Sequence, residues 1–256
     1  INKNIDIKMQ VQKSDHKVQR RLRVLCLHGY YNNTEVVNHQ LGYYKWLFGD
    51  YIEFVPLNGP FEVEEIFNET IHKNFSGPFY GWMKYHHDTH EIEGADKALE
   101  YVTKYVEEHG PFDGIWGFSQ GTIMARILLK FGDLSCFKFA MFFSPVIRKN
   151  LKLFPDREEG SEILMEEYDI PTFYTYGKLE SDQEHISTSV VKKGDYTFFV
   201  HPYGHNIPRF IEEDMAIFGG FLKKVYKAET SQEIDIDVDS ISKDIKNRYK
   251  IFCDSS

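Results

Sequence analysis

Gly117-Phe118-Ser119-Gln120-Gly121 constrains this 256-residue chain more than any other stretch, because of what flanks it. Before it runs Phe112-Asp113-Gly114-Ile115-Trp116, an apolar run suited to a buried parallel strand. After it, residues 122–129 (Thr-Ile-Met-Ala-Arg-Ile-Leu-Leu) read as a helix. A serine on a tight strand-to-helix turn, with glycine two positions before and two after, has the arrangement of a nucleophile elbow. The turn is strained, and a β-carbon at either glycine would collide with neighbouring backbone. It lifts the serine oxygen clear of the sheet. It also sets the first backbone N–H groups and the positive dipole end of the following helix beside that oxygen.

The rest of the chain supplies a scaffold for such a turn. Residues 23–28 (Arg-Val-Leu-Cys-Leu-His) read as a strand ending at Gly29, and a helix over 35–48 follows, capped by Asn33 or Thr34. Residues 51–57 form a second strand closed by Asn58-Gly59-Pro60, and 61–90 is an irregular stretch rich in aromatic residues and histidine. Ile92, Ala95, Leu99, Val102 and Val106 have amphipathic spacing, which predicts a helix over 91–109 stopped by Gly110-Pro111. Further strands are expected at 137–143, 171–176 and 196–200, with a closing helix over 207–226. Strands apolar on both faces that alternate with helices predict a mostly parallel sheet with helices on both sides. The domain expectation is a polar extension (1–20), one α/β domain (21–227) and an acidic, mobile tail (228–256). Ile234, Ile236 and Val238 alternate with aspartates in that tail, so a short strand or docking segment is the alternative.

Composition narrows the function classes. The apolar fraction of 42% suits one sizeable core, and a net charge of -9 argues against a nucleic-acid partner. No apolar run approaches the ~20 residues that span a bilayer, and the first 17 residues lack the apolar centre of a signal peptide. The chain begins without a methionine, which makes Met9 a candidate start and the residues before it a candidate remnant. Cys26, Cys136 and Cys253 fit neither a disulfide set nor a metal pattern, so buried free thiols and a cytoplasmic location are expected. His86, His87, Asp88 and His90 read as solvated loop residues, with no metal and no cofactor expected.

A serine nucleophile needs a base. His205, in His201-Pro202-Tyr203-Gly204-His205-Asn206-Ile207-Pro208, follows the last strand, where open parallel sheets place ligands. His201 sits closer to the strand and reads as a brace. A carboxylate must hold the imidazole, and chain order in such folds is serine, acid, histidine. Gly177-Lys178-Leu179-Glu180-Ser181-Asp182 occupies that slot, with Glu180 favoured and Asp182 the alternative. The oxyanion donors are expected to be the N–H of Gln120 and the N–H of Tyr30, in the loop after the first strand. Tyr31, Phe79, Tyr80, Trp82 and Tyr203 are candidate substrate-binding residues, because aromatic walls suit an apolar acyl or aryl group.

The combination of Leu-His-Gly-Tyr (27–30), Phe-Asp-Gly-Ile-Trp-Gly-Phe-Ser-Gln-Gly (112–121), Phe-Ser-Pro (143–145), Pro-Thr-Phe-Tyr-Thr-Tyr-Gly (171–177) and His-Pro-Tyr-Gly-His-Asn-Ile-Pro (201–208) resembles the FSH family of serine hydrolases. That α/β-hydrolase family includes the ovarian-cancer-associated esterases. The resemblance implies an α/β-hydrolase fold, Ser119 as nucleophile, His205 as base, and Tyr30 and Gln120 as oxyanion donors. Residues 77–82 resemble the family's aromatic stretch. The acid position departs from the pattern: Glu180 stands for aspartate, and Gln183-Glu184-His185 replaces the usual valine-proline. The implied function is cleavage of a small-molecule carboxylic ester or thioester through an acyl-enzyme on Ser119. The acid limb of the pH profile is expected near the ordinary histidine value of ~6.5. An acyl-protein or carrier thioesterase is one alternative, and a non-catalytic binding module on the same fold is the alternative from another class. Neither the oligomeric state nor the acyl chain length is written in the sequence.

Overall fold

The computed structural model describes residues 20–86, 88–89, 91–132, 135–146, 153–154, 168–180, 195–210 and 212–236. The main sheet is built from β1 (Leu22–Leu27), β2 (Ile52–Leu57), β7 (Gly114–Phe118), β8 (Phe139–Phe143), β9 (Thr172–Gly177) and β10 (Tyr196–His201). They lie in the order β10-β9-β8-β7-β1-β2, and every neighbouring pair is parallel. The central strands β7 and β8 are buried along their whole length, as their unbroken apolar runs require.

Residues alternate between two apolar layers. Leu25, Leu27, Ile115, Ala140 and Phe142 face α4 (Ala95–His109) and α5 (Gln120–Phe131). Val24, Cys26, Trp116, Phe139, Met141, Phe143 and Phe173 face α1 (Thr34–Gln40), α2 (Gly42–Phe48) and α6 (Glu212–Thr230). Both faces are thus covered, and the molecule has the α/β-hydrolase architecture expected. Phe218 of α6 is the hub of the second layer, with ring centroids 5.0 Å from Phe173, 5.1 Å from Phe210 and 5.2 Å from Tyr44.

Several elements differ from expectation. The helix predicted over 35–48 is two helices meeting at Leu41, where ψ of 0° ends the first and Gly42 opens the second. Asn33 is the cap, its side chain accepting the Val36 N–H at 3.0 Å. The helix predicted over 91–109 begins only at Ala95. Gly94 sits at φ 86°, and β6 (Glu91–Glu93) before it pairs antiparallel with β5 (Lys84–His86). The stretch read as irregular also holds β3 (Phe61–Glu62), α3 (Glu69–Asn74) and β4 (Tyr80–Gly81). The closing helix, expected over 207–226, covers Glu212–Thr230 instead and so runs past residue 228, where the mobile tail was expected to start. Ile234, placed in that tail by its sequence, is 4% exposed and packs into the second layer. Residues 1–19 and 237–256 lie outside the described residues.

Phe218→Ala, at a site 1% exposed, is expected to lower the free energy of unfolding by about 3–5 kcal/mol in urea titration. Phe218→Leu, closer in volume, is expected to lose less than about 1.5 kcal/mol. Equal losses for the two would show that the aromatic stack is not what joins α6 to the sheet.

Candidate active site

Four loops leave the carboxyl ends of β1, β7, β9 and β10 and converge on one point. Ser119 follows β7 with φ 53° and ψ -120°, a conformation that serine adopts only when its surroundings force it. The surroundings are explicit. A β-carbon on Gly121 would collide with the carbonyl oxygens of Leu27 and His28, and one on Gly117 would meet the Gly121 carbonyl oxygen. The two glycines therefore let α5 press against the end of β1 and close the turn. The Ser119 N–H donates to the Phe143 carbonyl at 3.1 Å, and the Ser119 carbonyl accepts from the Thr122 hydroxyl at 2.6 Å.

His205 reaches this serine from the loop after β10, with Nε2 2.8 Å from Ser119 Oγ. Its other nitrogen, Nδ1, lies 2.7 Å from Glu180 Oε2. A carboxylate only accepts, so Nδ1 carries the proton and Nε2 is free to accept from the serine hydroxyl. Two tyrosines of α2 steady this loop: the Tyr43 hydroxyl donates to the Phe210 carbonyl at 2.7 Å, and the Tyr44 hydroxyl to the Pro208 carbonyl. The imidazole is 47% exposed, whereas Glu180 behind it is 7% exposed. The sequence thus brings together Ser119, His205 and Glu180; the alternative acid, Asp182, lies outside the described residues.

Burial pushes the Glu180 carboxyl up. The hydrogen bonds from His205, from the Gly177 N–H at 2.6 Å and from the Ser144 hydroxyl at 2.8 Å outweigh it and hold the group below its ordinary value. Burial lowers two other histidines. His28 is fully buried and pushed down to about 4. His201 is also lowered by burial, against an opposing pull from Glu180.

Gln120 and Tyr30 are the candidate oxyanion donors, and both lie beside the serine turn. Gln120 is the first residue of α5, so its N–H has no acceptor within the helix. The chain at Gly29 passes directly over the serine, since a β-carbon there would lie 3.3 Å from Ser119 Cβ. A buried polar network, unread in the sequence, holds that passage in place. The Gly59 N–H donates to His28 Nε2 at 2.8 Å, which leaves the His28 proton on Nδ1, donating to the Gly29 carbonyl at 2.6 Å. The Trp82 indole donates to the His28 carbonyl at 2.7 Å. The Gln120 side-chain amide accepts from the Trp82 N–H at 2.8 Å and donates to the Met83 carbonyl at 2.7 Å.

Burial corrects the aromatic assignment. Tyr31, Phe79 and Trp82 are 2%, 5% and 0% exposed, and the Tyr31 ring packs tilted on Phe79 with centroids 4.6 Å apart, so these rings are packed inside the structure. Tyr80 is half-buried, and its backbone bridges Asn32. Tyr203 alone of the five is exposed. The exposed apolar side chains near the site include three that sequence reasoning did not single out. Phe67, 69% exposed, packs edge-on against Tyr30 at 5.0 Å with Ile66 beside it. Leu179, 75% exposed, adjoins Glu180 and donates its N–H to the Tyr203 carbonyl at 3.1 Å. Their signal was present as apolar residues in polar loops, but periodicity assigns such residues to no element.

Among the described residues no group of three or more His, Cys, Asp or Glu is arranged to hold a metal, and no helix is long and apolar enough to cross a membrane. His86 pairs with Glu93 at 2.9 Å, while His87 and His90 lie outside the described residues.

The chain is 31% identical over 216 residues to a hydrolase of Schizosaccharomyces pombe, an alignment covering 75% of this chain and 48% of that protein. It therefore spans about half the length of that relative. It is 27% identical to an esterase of Caenorhabditis elegans, covering 80% of this chain and 95% of the other. Among solved structures, acyl-protein thioesterase 2 of Zea mays shares the fold, with a TM-score of 0.51 at 15% identity over 82% of this chain and 96% of that one. The serine hydrolase (FSH1) family model matches residues 18–217, and the chain belongs to that family.

Proposed function

We propose that the protein hydrolyses a carboxylic ester or thioester by acyl transfer through Ser119. The observation that carries this reading is the unbroken line from Glu180 Oε2 through His205 to Ser119 Oγ, with both hydrogen bonds under 3 Å. In the proposed mechanism Ser119 Oγ attacks the acyl carbon while His205 Nε2 takes the hydroxyl proton. The carbonyl oxygen becomes an oxyanion held by the N–H groups of Gln120 and Tyr30. Collapse breaks the bond to the alkoxide or thiolate, which leaves with the proton from His205. A water molecule then gives its proton to His205 and attacks the acyl-enzyme, and Ser119 is regenerated. Glu180 stays ionised throughout and balances the imidazolium. The residues themselves supply every proton transfer, so the reaction calls on no cofactor.

The substrate we propose is a small apolar acyl or aryl ester. The half-buried Tyr30 and the exposed Phe67, Leu179 and Tyr203 support it, and so does a net charge of -9, which disfavours anionic ligands and nucleic acid. A cytoplasmic location is proposed from the free thiols Cys26 and Cys136.

Ser119→Ala is expected to abolish labelling by a fluorophosphonate probe and to lower kcat by about 10⁶ on a p-nitrophenyl ester. Labelling that survives the substitution means another nucleophile. Glu180→Gln keeps the shape but removes the charge, and is expected to lower kcat by about 10³–10⁴ with KM little changed. A loss below tenfold would remove Glu180 from the mechanism.

The pH profile follows from the groups already described. Activity requires His205 neutral, so kcat/KM falls as the pH is lowered. Glu180 is lowered by its donors and His28 and His201 by burial, so the proposed reading is that one proton governs that fall. Rates measured from pH 4 to 9 are expected to fit a single acid limb, unmoved in His201→Gln. A second proton, or a limb displaced by that substitution, would assign the titration elsewhere.

A further inference from the structure

From the motif Phe143-Ser144-Pro145 we infer that Ser144 is a positioning residue, whose hydroxyl fixes the Glu180 carboxylate relative to His205. This inference rests on the acyl-transfer reading above and extends it to a side chain that never touches substrate. The sheet order puts β8 between β7, which ends at the nucleophile, and β9, which ends at the acid. The four residues after Phe142 therefore run across the gap between those two loops, and they are bonded to both.

On the nucleophile side, Phe143 accepts the Ser119 N–H and the Val146 N–H donates to the Thr122 hydroxyl at 3.2 Å. On the acid side, the Ser144 N–H donates to the Thr175 carbonyl at 2.7 Å and its hydroxyl to Glu180 Oε1 at 2.8 Å. The Asn206 carbonyl, next to His205, stands 3.4 Å from the same hydroxyl. A serine has one hydroxyl proton, and the shorter contact with the charged acceptor takes it.

Ser144 is fully buried at φ 46°, in the left-handed region that disfavours a side chain. Glycine would fit that backbone with less strain, so the retained side chain points to use of its oxygen. Glutamate has one more rotatable bond than aspartate, so a second fixed donor on Oε1, beside the Gly177 N–H, limits how far Oε2 can swing from Nδ1.

Removing the donor makes the carboxylate more basic. The His205–Glu180 pair then binds its proton more readily, whichever of the two carries it, and the acid limb moves to higher pH. Among the described residues, the titratable groups acting on Glu180 are His205 and His201.

The test compares Ser144→Ala and Ser144→Gly with the unsubstituted chain on a p-nitrophenyl ester, measuring kcat and KM from pH 4 to 9 alongside thermal unfolding. Both variants lack the hydroxyl, but only glycine relieves the backbone. Both are expected to lose about tenfold in kcat with KM within twofold, and to shift the acid limb up by about half a pH unit. Full kcat with an unmoved limb in Ser144→Gly overturns the inference. So does a loss in Ser144→Ala that glycine restores, because strain or packing is then the cause. Ser119→Ala run in parallel separates the two claims. If that variant keeps its activity, the acyl-transfer reading falls and this inference with it; if it is inactive while both Ser144 variants are normal, only this inference falls.

Discussion

A carboxylate withdrawn from water keeps its charge only if donors replace its hydration. Glu180 has three of them, one from its own turn, one from the residue after β8 and one from the imidazole, and each comes from a different part of the chain. The direction of the imidazole proton follows from this charge, and the direction of the serine proton follows from the imidazole. The parallel sheet makes the supply of donors possible, because it brings the ends of β7, β8, β9 and β10 to one edge. In a meander their ends would alternate between opposite edges.

The parts of the site legible in the sequence were those with a local cause. Gly117 and Gly121 announce a turn too tight for β-carbons, and the collisions that a β-carbon would suffer there bear this out. His205 could be placed because Gly204 and Pro208 mark a loop between a strand and a helix. Glu180 could be ranked above Asp182 only by its offset from Gly177. What was not legible has long-range causes. Nothing near Ser144 in the sequence points to an acid 36 residues away. The tyrosines of α2 act on a loop more than 160 residues later.

The aromatic stretch shows how composition misleads. Rings in loops expected to gather around the serine suggested a substrate wall, yet Phe79 and Trp82 are buried, where large apolar surface holds a structure with little regular secondary structure. A short antiparallel pair at 84–86 and 91–93 took residues that helical spacing had claimed, because Gly94 turns the chain before the helix begins. Periodicity counted Ile92 correctly as buried and assigned it to the wrong element.

The amide of Gln120 bonds to residues 82 and 83 much as a neighbouring peptide unit would, and the indole of Trp82 returns the connection to the carbonyl just before Gly29. Segment 59–83 and the helix start at 120 are thereby one mechanical piece. An engineer who exchanges that segment to alter what the proposed site accepts is also handling the frame that holds Gln120 and the chain at Gly29, where the proposed oxyanion donors lie. The transplantable module is the segment together with its glutamine, and a graft that severs the pair would trade specificity for turnover.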